Sequence, residues 1–161
     1  MLEARFSALL YALNLRFTYE RATFYFESGE SYTPDFFLRD KGLFIELKPT
    51  YPSIEEQFKC EKLAGEQGHA VVLMYGDTFV SPSQHSNPSG SRLQKNALRG
   101  MGWGCDGQRI AGDFMFIEET WRTSASDPTF TLAPVKVQMY ASANTEALTA
   151  AYKHASELVF V

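Results

Sequence analysis

Apolar residues at the start of the chain recur every three or four positions, the spacing of one face of an α-helix. The members of this face are Leu2, Phe6, Leu9, Leu10 and Leu13. After them the pattern changes to an alternation with a period of two, which is typical of strands. We therefore predict a helix over 2–14 and strands over 18–26, 32–38 and 42–48. Because short links join these strands, they are expected to form an antiparallel meander.

A second helix is predicted after the third strand. Ser53 and Glu56 have the spacing of a capping box, which marks a helix start, and Gly68 is suited to the C-terminal end. We expect Ile54, Phe58 and Leu63 to point inward from this helix.

A continuous apolar run, HAVVLMYGD, follows the second helix and predicts a buried strand that is parallel to the third. The back half of the chain is less regular. Segment 81–91 is rich in Pro, Ser and Gly and is predicted to be a loop, and 100–107 has too many glycines for a packed element. The remaining predicted elements are strands over 113–119 and 135–141 and a helix over 144–158 whose inner face carries Leu148, Ala151, Tyr152 and Ala155.

Composition narrows the class of protein. The 161 residues are 45% hydrophobic and 21% charged, as in an ordinary globular domain. The net charge of −4 argues mildly against a large non-specific DNA-binding surface. Two cysteines and three scattered histidines support neither a disulfide framework nor a zinc site. No segment approaches the roughly 20 apolar residues of a membrane span. We expect an intracellular protein with reduced thiols.

Charged residues interrupt two of the predicted strands. Glu46 and Lys48 project from one face of the third strand, and Asp35 lies in the strand expected beside it. Two neighbouring carboxylates repel each other unless a cation lies between them, and Mg²⁺ prefers such oxygen ligands. A lysine beside that site can orient a water molecule, which suits metal-assisted hydrolysis of a phosphodiester. The alternative is an ion-pair group on a half-exposed sheet.

The motif Pro34-Asp35 followed by Glu46-Leu47-Lys48 resembles the PD-(D/E)xK signature of the restriction-endonuclease-like nuclease superfamily. The predicted order α-β-β-β-α-β resembles the core of that superfamily, and the resemblance covers roughly residues 2–77. YTPDFFL, IELKP and YGD are particularly similar to small phage, viral and transposon-borne DNA nucleases. The implied fold class is α/β, a restriction-endonuclease-like core with a mixed sheet and a C-terminal extension of loop, strands and a final helix.

The resemblance also implies roles for individual residues. Asp35 and Glu46 would be metal ligands, the backbone carbonyl of Leu47 would add another, and Lys48 would be the catalytic lysine. Glu3 matches a glutamate that family members often place on the first helix.

The role of Glu3 as a ligand is open. It is also explained as an acidic residue favoured by the helix dipole, and Glu20 is the substitute ligand. Gln57 and Lys59 on the second helix are candidates for support of the site. A solvated helix position explains Lys59 equally well and Gln57 somewhat better than a supporting role does.

A second group of residues suits a nucleic-acid backbone. Basic residues surround the glycine-rich segment with an aromatic ring among them, and a solvated loop is the alternative. The group comprises Arg92, Lys95, Arg99, Trp103 and Arg109. Tyr32, Tyr51 and Tyr75 are candidates either for substrate contact or for packing.

The resulting hypothesis is a single nuclease domain over 1–161, with a catalytic core at 1–77 and an extension at 78–161 that contains a mobile loop at 81–112. It would be a Mg²⁺-dependent endonuclease of a phage or mobile element, with Mn²⁺ as a substitute, that hydrolyses DNA during processing, recombination or repair. A homodimer would allow both strands of a duplex to be cut. The alternatives are an RNA nuclease and a catalytically silent nucleic-acid-binding or protein-interaction module.

Overall fold

A computed structural model describes residues 1–76, 98–110, 112–119, 129–134 and 146–158 of the chain. The chain divides into two compact units. The sheet unit comprises Arg16–Gly76 and Arg99–Gly112, and the terminal unit comprises Met1–Leu15, Asp77–Leu98 and Asp113–Val161. The domain boundaries expected from the sequence stay a prediction.

The described residues form a mixed α/β fold with three helices. In chain order the elements are α1 (Leu2–Ala12), β1 (Phe17–Tyr19), β2 (Phe24–Tyr25), β3 (Ser31–Tyr32), β4 (Phe36–Leu38), β5 (Leu43–Lys48), α2 (Ile54–Gln67), β6 (Ala70–Tyr75), β7 (Gly100–Trp103), β8 (Arg109–Ile110), β9 (Phe114–Glu118), β10 (Phe130–Pro134) and α3 (Glu146–Glu157).

The sheet unit is built on a six-stranded mixed sheet with the order β1-β4-β5-β6-β7-β8. The central pair, β5 and β6, is parallel, and every other neighbouring pair in this sheet is antiparallel. Helix α2 connects the two parallel strands, so the predicted strand-helix-strand crossover is confirmed. Both central strands are apolar and buried along most of their length, because side chains on both faces of a parallel pair are covered.

The first two predicted strands are each divided into two short strands. The prediction of one strand over 18–26 is wrong, because the chain turns at Glu20, whose φ is 43°. The predicted strand over 32–38 is interrupted before β4, where Pro34 has no N–H for a strand ladder. As a result β1 pairs with β4 in the main sheet, while β2 and β3 form a separate hairpin.

Helix α2 has both predicted ends. Ser53 and Glu56 form a complete capping box, and Gly68 ends the helix with a φ of 66°. The inward face predicted from the sequence is only partly right, because Leu63 is buried whereas Ile54 and Phe58 are 71% and 55% exposed.

The reason for this difference is the angular spacing of the helix. The buried residues of α2 are Cys60, Leu63 and Ala64. Phe58 precedes Cys60 by two residues, which rotates it by about 200° around the helix. Apolar character alone therefore did not identify the buried face.

The glycine-rich segment is a packed part of the sheet, so the prediction of an unpacked loop over 100–107 is wrong. Strand β7 pairs with β6, and Met101 and Trp103 are 3% and 2% exposed. In the turn after β7, a Cβ atom on Gly107 would lie 3.4 Å from Cα of Gly65 in α2. Glycine allows this close approach of two backbones. The predicted mobile loop over 81–112 is accordingly wrong for 98–110, and 81–91 lies outside the described residues.

The terminal unit contains α1, α3 and the antiparallel pair β9 and β10. Phe6 of α1 lies 6.2 Å from Phe116 of β9 between ring centroids. Leu148, Ala151 and Ala155 are buried on α3, as predicted for the final helix. The predicted strand over 113–119 is also found, whereas the one over 135–141 lies outside the described residues.

Among the helices of the described ranges, none is both long enough and apolar enough to cross a membrane.

We predict opposite effects of two glycine substitutions at α2. Gly68→Ala should lower the free energy of unfolding by roughly 1–2 kcal/mol, because the left-handed backbone disfavours a Cβ atom. The matched change Gly65→Ala should raise it by up to about 1 kcal/mol through helix propensity, since the added Cβ meets only an ordinary contact at 4.0 Å. Urea denaturation of the whole chain measures both, and equal losses would contradict the assignment of Gly68 as the cap.

Candidate functional site

Side chains of neighbouring strands form rows across the face of the sheet that α2 covers. From the core toward the carboxyl end of β5, the successive rows are Phe44–Val71–Trp103, Glu46–Leu73–Met101 and Lys48–Tyr75. The first row is apolar, and charged groups enter only where β5 approaches the first turn of α2. The local pattern of the sequence thus confines the charged side chains of these rows to one edge of an otherwise apolar face.

Asp35 and Glu46 lie opposite each other at this edge. Phe36 pairs with Ile45, so the next position in the antiparallel register joins Asp35 to Glu46. The N–H of Asp35 donates to Oε2 of Glu46 at 3.3 Å, and the N–H of Leu47 donates to Oδ2 of Asp35 at 2.8 Å. Glu46 is only 3% exposed. A buried carboxylate needs such partners, because leaving water is unfavourable for a charged group.

Lys48 is the cationic partner of this carboxylate pair. Its Nζ lies 2.8 Å from Oε1 of Glu46 and 3.4 Å from Oε1 of Glu56. Burial lowers the pKa of Lys48, but the hydrogen bond to Glu46 and the charges of both glutamates more than offset it, so the pKa is raised from 10.5. The ion pair therefore stabilises the fold below pH 10.5, and this contribution is lost as the pH rises through the raised pKa.

Tyr32 and Cys60 pack beneath Glu46. The hydroxyl of Tyr32 lies 3.4 Å from Sγ of Cys60. Burial, followed by the charges of Cys60 and Glu46 and hydrogen bonds to both, raises the pKa of Tyr32 well above its ordinary value. Burial also raises the pKa of the Cys60 thiol to about 12. Both groups therefore remain protonated near neutral pH, and the hydroxyl of Tyr32 lies close enough to Glu46 for that carboxylate to contribute to the raised pKa.

Two partners in this site were not identified from the sequence. The sequence indicates only substrate contact or packing for Tyr32 and only a helix cap for Glu56. The signal for Glu56 was present, because a capping-box glutamate lies in the first turn of a helix that begins near the end of the strand carrying Lys48. Tyr32 gave no comparable signal, since its approach to Glu46 depends on the separate hairpin of β2 and β3.

The candidate ligands Glu3 and Glu20 occupy different parts of the chain. Glu3 lies in the first turn of α1, within the terminal unit. Glu20 lies in the sheet unit after β1, and its N–H donates to the carbonyl of Asp35 at 2.8 Å. No group of three or more His, Cys, Asp or Glu side chains with the arrangement of a metal site occurs among the described residues. The metal roles of Asp35, Glu46, Leu47, Glu3 and Glu20 stay predictions.

The two helix residues predicted to support the site have local neighbours. The side-chain amide of Gln57 donates to the carbonyl of Pro52 at 3.1 Å, which holds the segment that enters α2. Hydrogen bonds from Lys62 and Ser28, and to the smallest extent the charge of Lys59, lower the pKa of Glu30 in the turn between β2 and β3. The supporting roles of Gln57 and Lys59 stay predictions.

The predicted nucleic-acid-binding group is not brought together in the residues that the structure describes. Arg99 and Arg109 are exposed, but Arg99 directly precedes β7 and Arg109 pairs with Trp103 at the other end of this strand. The four residues from 99 to 103 separate these backbone positions by roughly 13 Å. Trp103 is buried in the core and offers no open ring face for a base, which corrects the role expected of it. Arg92 and Lys95 lie outside the described residues.

Comparisons of the chain with protein-family models, with curated proteins and with solved structures found no match.

We predict a pH-dependent effect of Glu56→Gln on stability. The hydrogen bond from the Ser53 N–H, followed by the charge of Lys48, lowers the pKa of Glu56 from 4.5. The wild-type glutamate therefore stabilises the fold above pH 4.5 and loses this contribution as the pH falls through its lowered pKa. The difference in stability between the two proteins should be about 0.3–1 kcal/mol at neutral pH and shrink in acid. Urea denaturation at several pH values measures it.

Glu55→Gln is the matched control for this measurement. Glu55 lies in the same first turn of α2 but makes no ion pair with any described residue. Its substitution should give a smaller difference, and equal curves for the two variants would contradict a specific role of the Lys48 contact.

The ion pair between Glu46 and Lys48 can be measured by a double-mutant cycle. Lys48→Met should lower the free energy of unfolding by about 1–3 kcal/mol, because it leaves a buried carboxylate without its ammonium partner. Glu46→Gln in the same chain should restore part of the loss, with a coupling energy of about 0.5–3 kcal/mol. Chemical denaturation of the four proteins gives this energy, and additive losses would contradict a direct pair.

Proposed function

We propose that this protein is a metal-dependent nuclease that hydrolyses phosphodiester bonds in DNA, with Asp35, Glu46 and Lys48 as its active site. The observation that carries the proposal is the convergence of these three residues at one edge of the sheet. Lys48 Nζ lies 2.8 Å from Oε1 of the almost fully buried Glu46, and the backbone N–H of Asp35 donates to the same carboxylate at 3.3 Å. The carboxylate of Asp35 is held beside them by the N–H of Leu47 at 2.8 Å. Ionisable groups concentrated in this way are a recognised sign of a functional site.

The chemistry of the donor set fits a magnesium ion. Asp35 and Glu46 present carboxylate oxygens from adjacent positions of two strands. Mg²⁺ is often held by one or two carboxylates together with water and substrate phosphates, so a third protein ligand is not required. Asp35 and Glu46 would hold the ion, with Leu47, Glu3 or Glu20 as further candidates. When bound, the metal would act as a Lewis acid on the phosphate and lower the pKa of water.

The protein side chains supply charge and orientation to the same reaction. Lys48 is half-buried and extends from β5 toward the first turn of α2, so its ammonium can position a water molecule and stabilise negative charge on the phosphate. Its raised pKa keeps it protonated at neutral pH, which suits a positioning and electrostatic role rather than that of a general base. Tyr32, whose hydroxyl stays protonated, lies near the carboxylate of Glu46.

The order of elements in the sheet unit supports the resemblance to restriction-endonuclease-like nucleases. Strands β4 and β5 carry the motif, α2 follows, and β6 returns parallel to β5. We accordingly propose that this mixed sheet is a core of that type. DNA is preferred over RNA only through the resemblance, since the contacts around Glu46 are suited to a phosphate and do not distinguish the two sugars. A homodimer belongs to the same proposal.

The proposal predicts Mg²⁺-dependent cleavage that depends on two residues of the site. We expect Lys48→Met and Asp35→Asn each to reduce cleavage by about a hundredfold or more. The first removes a positive charge beside the reacting phosphate, and the second removes a proposed metal ligand. The measurement uses labelled duplex, single-stranded, flapped and four-way-junction DNA together with RNA, in Mg²⁺, Mn²⁺ or EDTA. Circular dichroism checks that each variant is folded.

Lys62→Met is the matched control for Lys48→Met. Lys62 also pairs with a glutamate, since its Nζ lies 2.6 Å from Oε2 of Glu30, but it does so on the surface of α2. Its substitution should leave cleavage within about twofold of the wild type, in keeping with the small contribution of surface pairs. Absence of cleavage with every substrate, or equal cleavage by the wild type and Lys48→Met, would overturn the nuclease proposal. Tight binding without cleavage would favour the binding module.

A further inference from the structure

A row of half-buried and exposed groups continues beyond the carboxylate site, at the carboxyl ends of the central strands. Lys48 pairs with Tyr75 in the parallel register of β5 and β6. Met74 pairs with Gly100, and the N–H of Tyr75 donates to the carbonyl of Arg99 at 3.0 Å, so Arg99 follows Tyr75 in the same row. Cross-strand neighbours project from the same face of a sheet. Lys48, Tyr75 and Arg99 therefore share one edge, with the tyrosine between two cations.

Tyr51 completes this surface, which we call the aromatic edge and define as Lys48, Tyr51, Tyr75 and Arg99. The rings of Tyr51 and Tyr75 meet edge to face, with centroids 5.0 Å apart. Tyr51 is nevertheless 63% exposed, so much of this residue stays open to solvent although its ring is braced by Tyr75. A ring held by a neighbour but left open is suited to stacking on a planar group, because little side-chain freedom remains to be lost.

The exposed apolar residues of α2 lie on the flank next to this edge. Ile54 and Phe58 continue the helical stripe that contains Glu61 and Gly65. Gly65 in turn faces Gly107, in the turn between β7 and β8. The stripe is therefore directed toward the side of the sheet where β7 lies. Its exposed apolar residues, Ile54 and Phe58, lie in the N-terminal part of α2. Apolar surface there extends the region on which bases could pack.

The charges around the aromatic edge disfavour a long track for a duplex backbone. Glu55 and Glu56 lie in the first turn of α2, and the whole chain has a net charge of −4. Binding of duplex DNA relies chiefly on many Lys and Arg contacts to phosphates. Binding of a single strand combines a few such contacts with stacking of bases on aromatic rings. Two cations that flank two tyrosines match the second mode.

We propose that the aromatic edge binds an unpaired nucleotide beside the scissile phosphate, with its base stacked on Tyr51 and its backbone held by Lys48 and Arg99. The substrate class of the site is then a single strand or a locally unpaired segment such as a flap or frayed end. This inference rests on the proposed function, because it assigns a binding surface to the base next to the phosphate that would lie at Glu46 and Lys48.

The test measures binding separately from cleavage. Fluorescence anisotropy in EDTA compares a labelled single strand with the blunt duplex of the same sequence, for the wild type and for Tyr51→Ala. We expect the wild type to prefer the single strand, and the substitution to weaken single-strand binding by about tenfold while duplex binding changes much less. Tyr51→Phe should retain the preference, because it keeps the ring.

Tyr25→Ala is the control for a change of any exposed tyrosine. Tyr25 is 79% exposed and lies in β2, whose hairpin contacts the other flank of α2 through Lys62 and Glu30. Its substitution should leave binding of both DNAs unchanged. Equal affinity of the wild type for the two DNAs, no measurable binding of the single strand, or an unchanged affinity in Tyr51→Ala would overturn the inference.

Cleavage in Mg²⁺ by the same proteins separates this inference from the proposed function. If the wild type and Tyr51→Ala cleave single-stranded and flapped DNA equally fast, the role of the aromatic edge is overturned and the nuclease proposal stands. A loss confined to substrates with unpaired nucleotides would support it. Tyr51-dependent binding without any cleavage would support the stacking surface and overturn the nuclease proposal instead.

Discussion

The structure of the sheet unit depends on how one buried carboxylate is neutralised. Glu46 lies in a row whose other members are apolar and is 3% exposed, so its charge must be satisfied by protein groups. The Asp35 N–H, directly before β4, and the Lys48 ammonium of β5 meet this requirement, and the hydroxyl of Tyr32 in β3 lies nearby. Together they fix how β3, β4 and β5 lie at this edge. The same arrangement concentrates the ionisable groups from which a phosphate-cleaving site could be built.

Helix α2 links the apolar core to the charged edge. Its buried face packs Cys60 and Leu63 into the core, while its first turn brings Glu56 to within 3.4 Å of Lys48. The capping box fixes where the helix starts, and the close approach of Gly65 to Gly107 fixes its distance from the turn after β7. A shift of the helix would therefore disturb the core and the ion pair together.

The proposed function and the proposed substrate class depend on different features of the same edge. The nuclease proposal is based on the carboxylates and Lys48, which are suited to a metal ion and a phosphate. The substrate proposal is based on Tyr51 and Tyr75, which are suited to a base. An acidic protein has little capacity to hold a long duplex by charge alone, so stacking would be a reasonable source of affinity. Arg99 is exposed beside Tyr75, so a cation suited to a phosphate lies next to the rings suited to a base.

Local sequence patterns determined much of the fold: α1, β5, α2 with both of its ends, β6 and the final helix follow from spacing, caps and apolar runs. They also determined that Asp35, Glu46 and Lys48 would meet, because alternation along neighbouring strands is a local rule. Tertiary structure decided the turn at Glu20 that divides the first predicted strand, the burial of Trp103 and the exposure of Phe58. It also decided the approach of Tyr32 to Glu46. These features depend on contacts between segments distant in the chain, and no local pattern specifies which face of a ring or helix another element will cover.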